Sequence, residues 1–187
     1  MKSFGPKTFI YTMPVMVIAT YDENNDANAM TAAWGGVYDT NKVFICLSAD
    51  HKTVANIKAK KCFSIAFADK SHVAEDDYLG IVSGNDEQNK IKKASLKIIK
   101  SNIIDAPILI DFPVSIECDI CSLYEENDTV YLVGNILNVL ANEEYIDQAG
   151  NIDILKMGPL VYDPCTHNYC CVSSIVGKAY HDGLKIK

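Results

Sequence analysis

Within six residues, Ser48 to Thr53, the chain sets two hydroxyls, an imidazole and an ammonium at a turn: "SADHKTVANI" follows the apolar run "VFICL" directly. Such a turn, where a strand gives way to a helix, suits an anion. A helix N-terminus offers unpaired backbone N–H groups and the positive end of a dipole, so phosphate binds there readily. Ser48 and Thr53 would add hydroxyl donors and Lys52 the charge. Asp50 argues against this, because aspartate is among the best N-caps and its carboxylate would compete for the same N–H groups. Taken alone, the stretch favours a capped helix over a phosphate site.

Other residue types that could do chemistry give less. Cys118 and Cys121 form a C-x-x-C, but both fall in a strand-like segment. Three positions apart, their side chains point to opposite faces and lie about 10 Å apart along the strand. The run "CTHNYCC" places Cys165, His167, Cys170 and Cys171 in an expected loop after Pro164. That spacing matches no specific zinc framework, and no second ligand pair accompanies it, so no metal site is expected. G-x-S-x-G, H-E-x-x-H and Walker patterns do not occur, and "WGG" and "GIVSG" do not make a dinucleotide fingerprint. No residue is assigned a catalytic role.

The elements that must position these groups read as follows. Val15 to Tyr21 is a β-branched-rich strand, "DENND" a turn, and Asn28 to Trp34 the returning hairpin partner, which Gly35 and Gly36 break. Val43 to Leu47 and Phe63 to Phe67 are further strands. Between them Thr53 to Lys60 is a short helix with Val54 and Ile57 at helical spacing. Val73 to Lys100 reads as two helices. The second would set Ile91, Ala94, Ser95 and Ile98 on one face, with Lys90, Lys93, Lys97 and Lys100 mostly on a solvated one. "SIECDIC" alternates, Ile116, Cys118 and Ile120 opposing Glu117 and Asp119. Glu125 to Asp128 turns the chain into a long strand from Thr129 to Leu140. The sum is antiparallel strands with a few short helices, a compact β-barrel and not a strand–helix alternation.

Bulk properties narrow the class. The 187 residues fit one domain, 1–187, with a single core; 49% are hydrophobic and 22% charged. A net charge of −7 speaks against a general nucleic-acid or anionic-membrane binder, both of which need basic surfaces. No apolar run approaches the roughly 20 residues of a membrane span. The N-terminal residues read as the approach to a first strand and not as a signal peptide. Seven cysteines, an odd count, fit free thiols in a reducing cytoplasm.

In combination, "NAMTAAWGG", "LSADHKTVANI" with "FSIAFA" behind it, "DDYLGIVSG", "ECDI" followed by "YLVGNI", and "PLVY" resemble the flavin reductase-like family, with flavoredoxins the closest-looking branch. The resemblance spans roughly Pro14 to Gly183 and implies an FMN-binding split β-barrel: mainly β, antiparallel and Greek-key-like, with short helical insertions. It implies that Asn28, Ala29, Met30, Thr31 and Ala32 line the ring and ribityl chain with Trp34 near them. Ser48, Lys52 and Thr53 would hold the phosphate, with Asn56 one helical turn on. Lys90 is the nearest match to a lysine that often follows the family's "SG". Where the family often carries a histidine before its "VG", this chain has Thr129, Val130 and Tyr131.

FMN would carry the hydride acceptor, so the protein needs neither nucleophile nor strong acid–base pair. NADH or NADPH would be a transient co-substrate, and the onward acceptor a small molecule or protein. A homodimer with cofactor sites near its interface is implied. Two rival readings remain: a flavoredoxin-like electron carrier that does not use nicotinamide, and a non-enzymatic sensor domain holding FMN or another planar ligand.

Overall fold

The computed structural model describes residues 1–186. Its main sheet has seven antiparallel strands in the order β3-β2-β6-β9-β10-β5-β4: β2 (Met16–Tyr21), β3 (Ala27–Ala32), β4 (Gly35–Asp39), β5 (Lys42–Ser48), β6 (Cys62–Phe67), β9 (Val114–Glu126) and β10 (Thr129–Ala141). Two hairpins, β2–β3 and β4–β5, thus occupy opposite margins, with β6 and the long β9–β10 hairpin between them. The two edge strands are consecutive in the chain, joined only by Ala33 and Trp34. Three residue steps span at most about 11 Å, so the sheet must curl until its edges nearly meet. It is a barrel, split along the β3/β4 seam.

Inside the barrel lie Met16, Ile18, Val43, Ile45, Leu47, Phe63, Ile65, Cys118, Val130 and Leu132. The helix α1 (Lys52–Lys60) contributes Val54 and Ile57 to the same cluster. A second apolar cluster covers the outer face of β2, β3 and β6. There Val15, Val17, Ala19, Ala29 and Ala66 pack against Leu79 of α2 (Val73–Ile81), against Ile91 of α3 (Lys90–Lys93), and against Leu96, Leu109 and Phe112. Burial on both faces explains why β2 reads as a continuous apolar run and not an alternating one. Smaller pieces complete the fold: β1 (Met13–Pro14) pairs with β11 (Leu160–Asp163), which pairs with β12 (Asn168–Cys171), and β7 (Ile98–Lys100) pairs with β8 (Pro107–Leu109). The remaining helix, α4 (Ile154–Met157), has a true cap: Asp153 accepts from the N–H groups of Leu155 and Lys156 at 3.0 Å.

Four expectations need correction. Gly35 and Gly36 do not break the chain but open β4, where Gly35 lets backbone approach closely: a Cβ there would stand 2.7 Å from the Phe44 carbonyl. The expected second helix of Val73–Lys100 ends at Lys93, and Ile98 to Lys100 form β7; Ser95, in the left-handed region at φ 58°, turns the chain out of the helix. Lys90 is not on a solvated face but 1% exposed. Asn168 to Cys171, placed in a loop by the sequence, form β12 because Leu160 to Asp163 offer them a ladder.

On β9 the alternation is as expected, with Cys118 buried and Cys121 exposed. The face carrying Glu117 is nonetheless covered. Glu117 is 2% exposed, accepting hydrogen bonds from Ser101 Oγ and from Asn138 Nδ2 (2.6 Å), so each carboxyl oxygen has a donor where it is buried.

Candidate functional site

At the start of α1 the capping residue is His51 and not Asp50, which is exposed. His51 is extended (φ −64°, ψ 135°) and its side chain makes no cap bond. Intrahelical bonding begins with the Val54 and Ala55 N–H groups, both donating to the His51 carbonyl (2.9 and 3.3 Å). The first-turn N–H groups of Lys52 and Thr53 therefore stand before an uncapped helix end. The competing carboxylate that weighed against an anion site is not there.

The side chains around this end are organised by bonds that reach far along the chain. Asn28, on β3, donates from Nδ2 to Thr53 Oγ1 at 2.9 Å, and both residues are buried. Since Thr53 Oγ1 accepts from Asn28, its own proton is left to donate elsewhere. Lys52 Nζ pairs with Asp22 Oδ2 at 3.2 Å. Partial burial works against the Asp22 charge, but hydrogen bonds from the Asp26 and Asn24 N–H groups and from Lys52 outweigh it and hold the carboxyl below its ordinary value. The loop after α2 closes the far side: Asn85 Nδ2 donates to the Asp50 carbonyl (3.0 Å), and Gly84 lies so close that a Cβ would stand 2.2 Å from Asn28 Oδ1.

Lys90 projects into the same region. Its ammonium donates to the carbonyls of Leu79 (2.9 Å) and Val82 (2.5 Å) at the C-terminal end of α2, and burial pushes it down to about 8. The C-terminal carbonyls of a helix are where a cation is stabilised, which explains how a buried lysine is tolerated.

Three adjoining cavities turn these groups into one groove. The first, about 290 Å³, is walled by Asn28, Lys52, Thr53, Gly84, Asn85 and Lys90. It meets a second, of about 310 Å³, at Met30 and His51. That second cavity runs along Thr31 to Trp34 to Ser48 and Thr129. A third, about 210 Å³, shares Thr31 to Trp34 and continues to Asp77, Tyr162 and Tyr169. The groove follows β3, whose outer edge has no ladder partner among the described residues, so alternate backbone N–H and C=O groups there can meet a ligand.

Placed against the expected set, Asn28, Met30, Thr31, Ala32, Trp34, Ser48, Lys52, Thr53 and Lys90 all border the groove. Ser48 lies on the Trp34 side and not with Lys52. Trp34 is half-exposed at 49%, its ring 6.2 Å from that of Tyr162, so it is not a core tryptophan. Two residues fall elsewhere. Ala29 is fully buried in the outer cluster, packed among Leu79, Ile91 and Leu96 from the segments that cover this face of β3. Asn56 is 3% exposed and donates to Thr20 Oγ1 at 3.0 Å, anchoring α1 to β2. Sequence reasoning left Asp76, Gly84, Asn85, Tyr162 and Tyr169 without roles. "DDYLGIVSG" and "PLVY" contain three of the five, Asp76, Gly84 and Tyr162, but nothing local says which residues face the groove.

A split antiparallel barrel with a cleft that is polar at an uncapped helix end and mainly apolar along an edge strand is the architecture of the flavin reductase-like class. The chain belongs to the flavin reductase like domain family, which it matches over residues 8–170. It is similar to the flavoredoxin of Desulfovibrio vulgaris (Miyazaki F): 29% identity, TM-score 0.93, covering 98% of this chain and 99% of that one. Flavoredoxin from Methanosarcina acetivorans is similar at 25% identity and TM-score 0.89, with both chains fully covered. Nitrilotriacetate monooxygenase component B from Bacillus cereus shares the fold at 17% identity and TM-score 0.79, over 95% of this chain and 98% of that one. Among the described residues no helix is long and apolar enough to cross a membrane.

Proposed function

We infer that this protein is an FMN-dependent oxidoreductase of the cytoplasm that takes electrons from NADH or NADPH and passes them to a small-molecule or protein acceptor. The observation that carries the reading is the uncapped N-terminus of α1, with Lys52 and the buried Asn28–Thr53 pair, at one end of a groove walled by the β3 edge. FMN has a phosphate at one end and a planar ring at the other, and the residues present fit both. When bound, FMN supplies the hydride and electron acceptor.

The chain's own groups bind and orient. The Lys52 and Thr53 N–H groups, the Thr53 hydroxyl and the Lys52 ammonium hold the phosphate. Met30 and the backbone edge of Thr31 to Ala33 support the ring, and Trp34 bounds its far end. Asn28 orders Thr53, and Lys90 fixes the end of α2 that forms the opposite wall.

A second reading, electron transfer between proteins without nicotinamide, is favoured by the similarity to two flavoredoxins. A homodimer is part of the first reading. Tyr124 of β9 and Tyr131 of β10 stack across the strands at 6.2 Å on an exposed face, with exposed Phe44 of β5 two residues along from Tyr131's partner Cys46, and a second copy would cover these rings. Mixing FMN-loaded protein with NADH and with NADPH without oxygen tests the activity. Bleaching of the oxidised-flavin band within seconds supports the first reading. Bleaching only by a reduced protein donor supports the second, and failure to take up FMN refutes both. Light scattering of the same sample should report a dimer.

A further inference from the structure

Asp76 lies on α2 behind the Thr31 side of the groove and is fully buried. Thr31 Oγ1 stands 2.6 Å from the Asp76 main-chain carbonyl and 3.0 Å from Asp76 Oδ1. A hydroxyl has one proton, and the carbonyl, at the shorter distance, can only accept it. The one hydroxyl proton must serve both oxygens, so an ionised carboxylate would have at most a shared donor at Oδ1. The other carboxyl oxygen, Oδ2, is buried and has no partner among the described residues. An ionised carboxylate would be costly there.

The charged and titratable neighbours reinforce this. On α2 itself Asp77 adds a like charge, and from β12 comes Tyr169, whose hydroxyl donates to Asp77 Oδ1 at 3.1 Å. Facing strand β3 contributes Thr31 alone. From α3, the Lys90 ammonium is committed to the Leu79 and Val82 carbonyls. Burial accordingly pushes the Asp76 carboxyl up to about 7. Buried structural carboxylates such as Glu117 have their donors; Asp76 has a single hydroxyl that borders the groove, and Gly80 keeps it there, since α2 packs so tightly on Thr31 that a Cβ at Gly80 would meet Thr31 Cβ at 3.3 Å.

We propose that Asp76, acting through Thr31, is the proton-linked group of this site, taking up a proton when negative charge is delivered to the molecule held in the groove. The proposal rests on the FMN reading above. Hydride from a dihydronicotinamide carries two electrons and one proton, so the donor leaves as the oxidised pyridinium and the bound flavin gains one negative charge. In those molecules where Asp76 is ionised, it then binds one proton from solvent and offsets the added charge, so the mean uptake at neutral pH is less than one proton. Asp76 touches no reacting atom; it sets the potential at a given pH through its charge.

The proton can be read without the cofactor. Infrared difference spectra of the apo protein between about pH 6 and about pH 9 should show a protonated-carboxyl C=O band at low pH that is absent from Asp76→Asn. In the FMN-loaded protein, the midpoint potential plotted against pH should show a break near neutrality that Asp76→Asn removes. Thr31→Ser should keep that break and Thr31→Val should displace it. Failure to bind FMN defeats the functional reading, and the infrared band then still decides the state of Asp76. An absent band overturns the proposal. So does FMN-loaded Asp76→Asn with a potential curve that superimposes on the unmodified protein. If Asp76→Asn does not fold, an unmoved break in Thr31→Val overturns it equally.

Discussion

Exchanging Lys52 for Met and Thr53 for Val removes the charge and the hydroxyl from the α1 terminus while keeping the side-chain bulk. A charge-assisted hydrogen bond contributes about 1.5–3 kcal/mol and a neutral one about 0.5–1.5 kcal/mol. Lys52, however, already pairs with Asp22 at 3.2 Å, with the lysine side chain 30% exposed and the aspartate 14%. A pair of that kind is worth up to about 1 kcal/mol, which an incoming phosphate must displace, so the Lys52 share falls to roughly 0.5–3 kcal/mol. The sum, about 1–4.5 kcal/mol, corresponds to roughly 5-fold to 1,500-fold in affinity. Losing Thr53 Oγ1 also strands the buried Asn28 Nδ2, lowering stability by about 1–3 kcal/mol. Affinity for FMN alone would therefore confuse two effects. The assay is fluorescence titration with FMN and with riboflavin, which has the same ring and no phosphate. Any loss through loosening of the fold falls on both ligands and cancels in the ratio. The FMN-to-riboflavin affinity ratio should drop by the factor given. If it is the same in the double variant as in the unmodified chain, the phosphate is not at α1 and the assignment of the groove fails.

Two further outcomes follow from the geometry. Gly84→Ala puts a Cβ 2.2 Å from Asn28 Oδ1 and 3.2 Å from Lys52 Cβ, so Asn28 must turn off Thr53; chemical denaturation should show a loss of about 1–3 kcal/mol, and unchanged stability and FMN binding would mean the loop does not close on Asn28 as described. The Asp76 carboxyl is raised from 3.8 to about 7 on folding, so the folded state binds the proton more tightly than the unfolded chain does. Stability from this group is then full below about pH 4 and lost as pH rises toward 7, up to roughly 4 kcal/mol for about three units at 1.36 kcal/mol each. Relative to the unmodified protein, Asp76→Asn should gain stability across that window, and parallel stability–pH curves would show that Asp76 is ionised in the fold.

How much of this was legible in the chain depends on how local the controlling interaction is. The β2–β3 hairpin, α1 and the β9–β10 hairpin follow from side-chain periodicity and turn chemistry within a few residues; their boundaries agree with the structure to within one or two residues, except that β9 continues five residues beyond Cys121 to Glu126. The donors of the turn at Ser48–Thr53 were visible for the same reason, since they belong to one helix end, but taken alone that stretch favoured a capped helix, and only the family resemblance turned the reading toward an anion. What periodicity reports is which residues share a face, not what covers that face. Lys90 read as solvent-facing and Glu117 only as lying opposite the apolar face of its strand, yet both are buried, because the end of α2 and Ser101 close over them. Asp50 looked like a cap, but whether an aspartate caps depends on where its backbone enters the helix, and the structure gives that position to His51. Asn28 meets Thr53 across 25 positions, and Thr31 meets Asp76 across 45. Contacts of that separation exist only once the sheet has curled and α2 has packed on β3. The type of each residue was written in the sequence, but the charge state of Asp76 and the burial of Lys90 come from neighbours that the chain brings together only by folding.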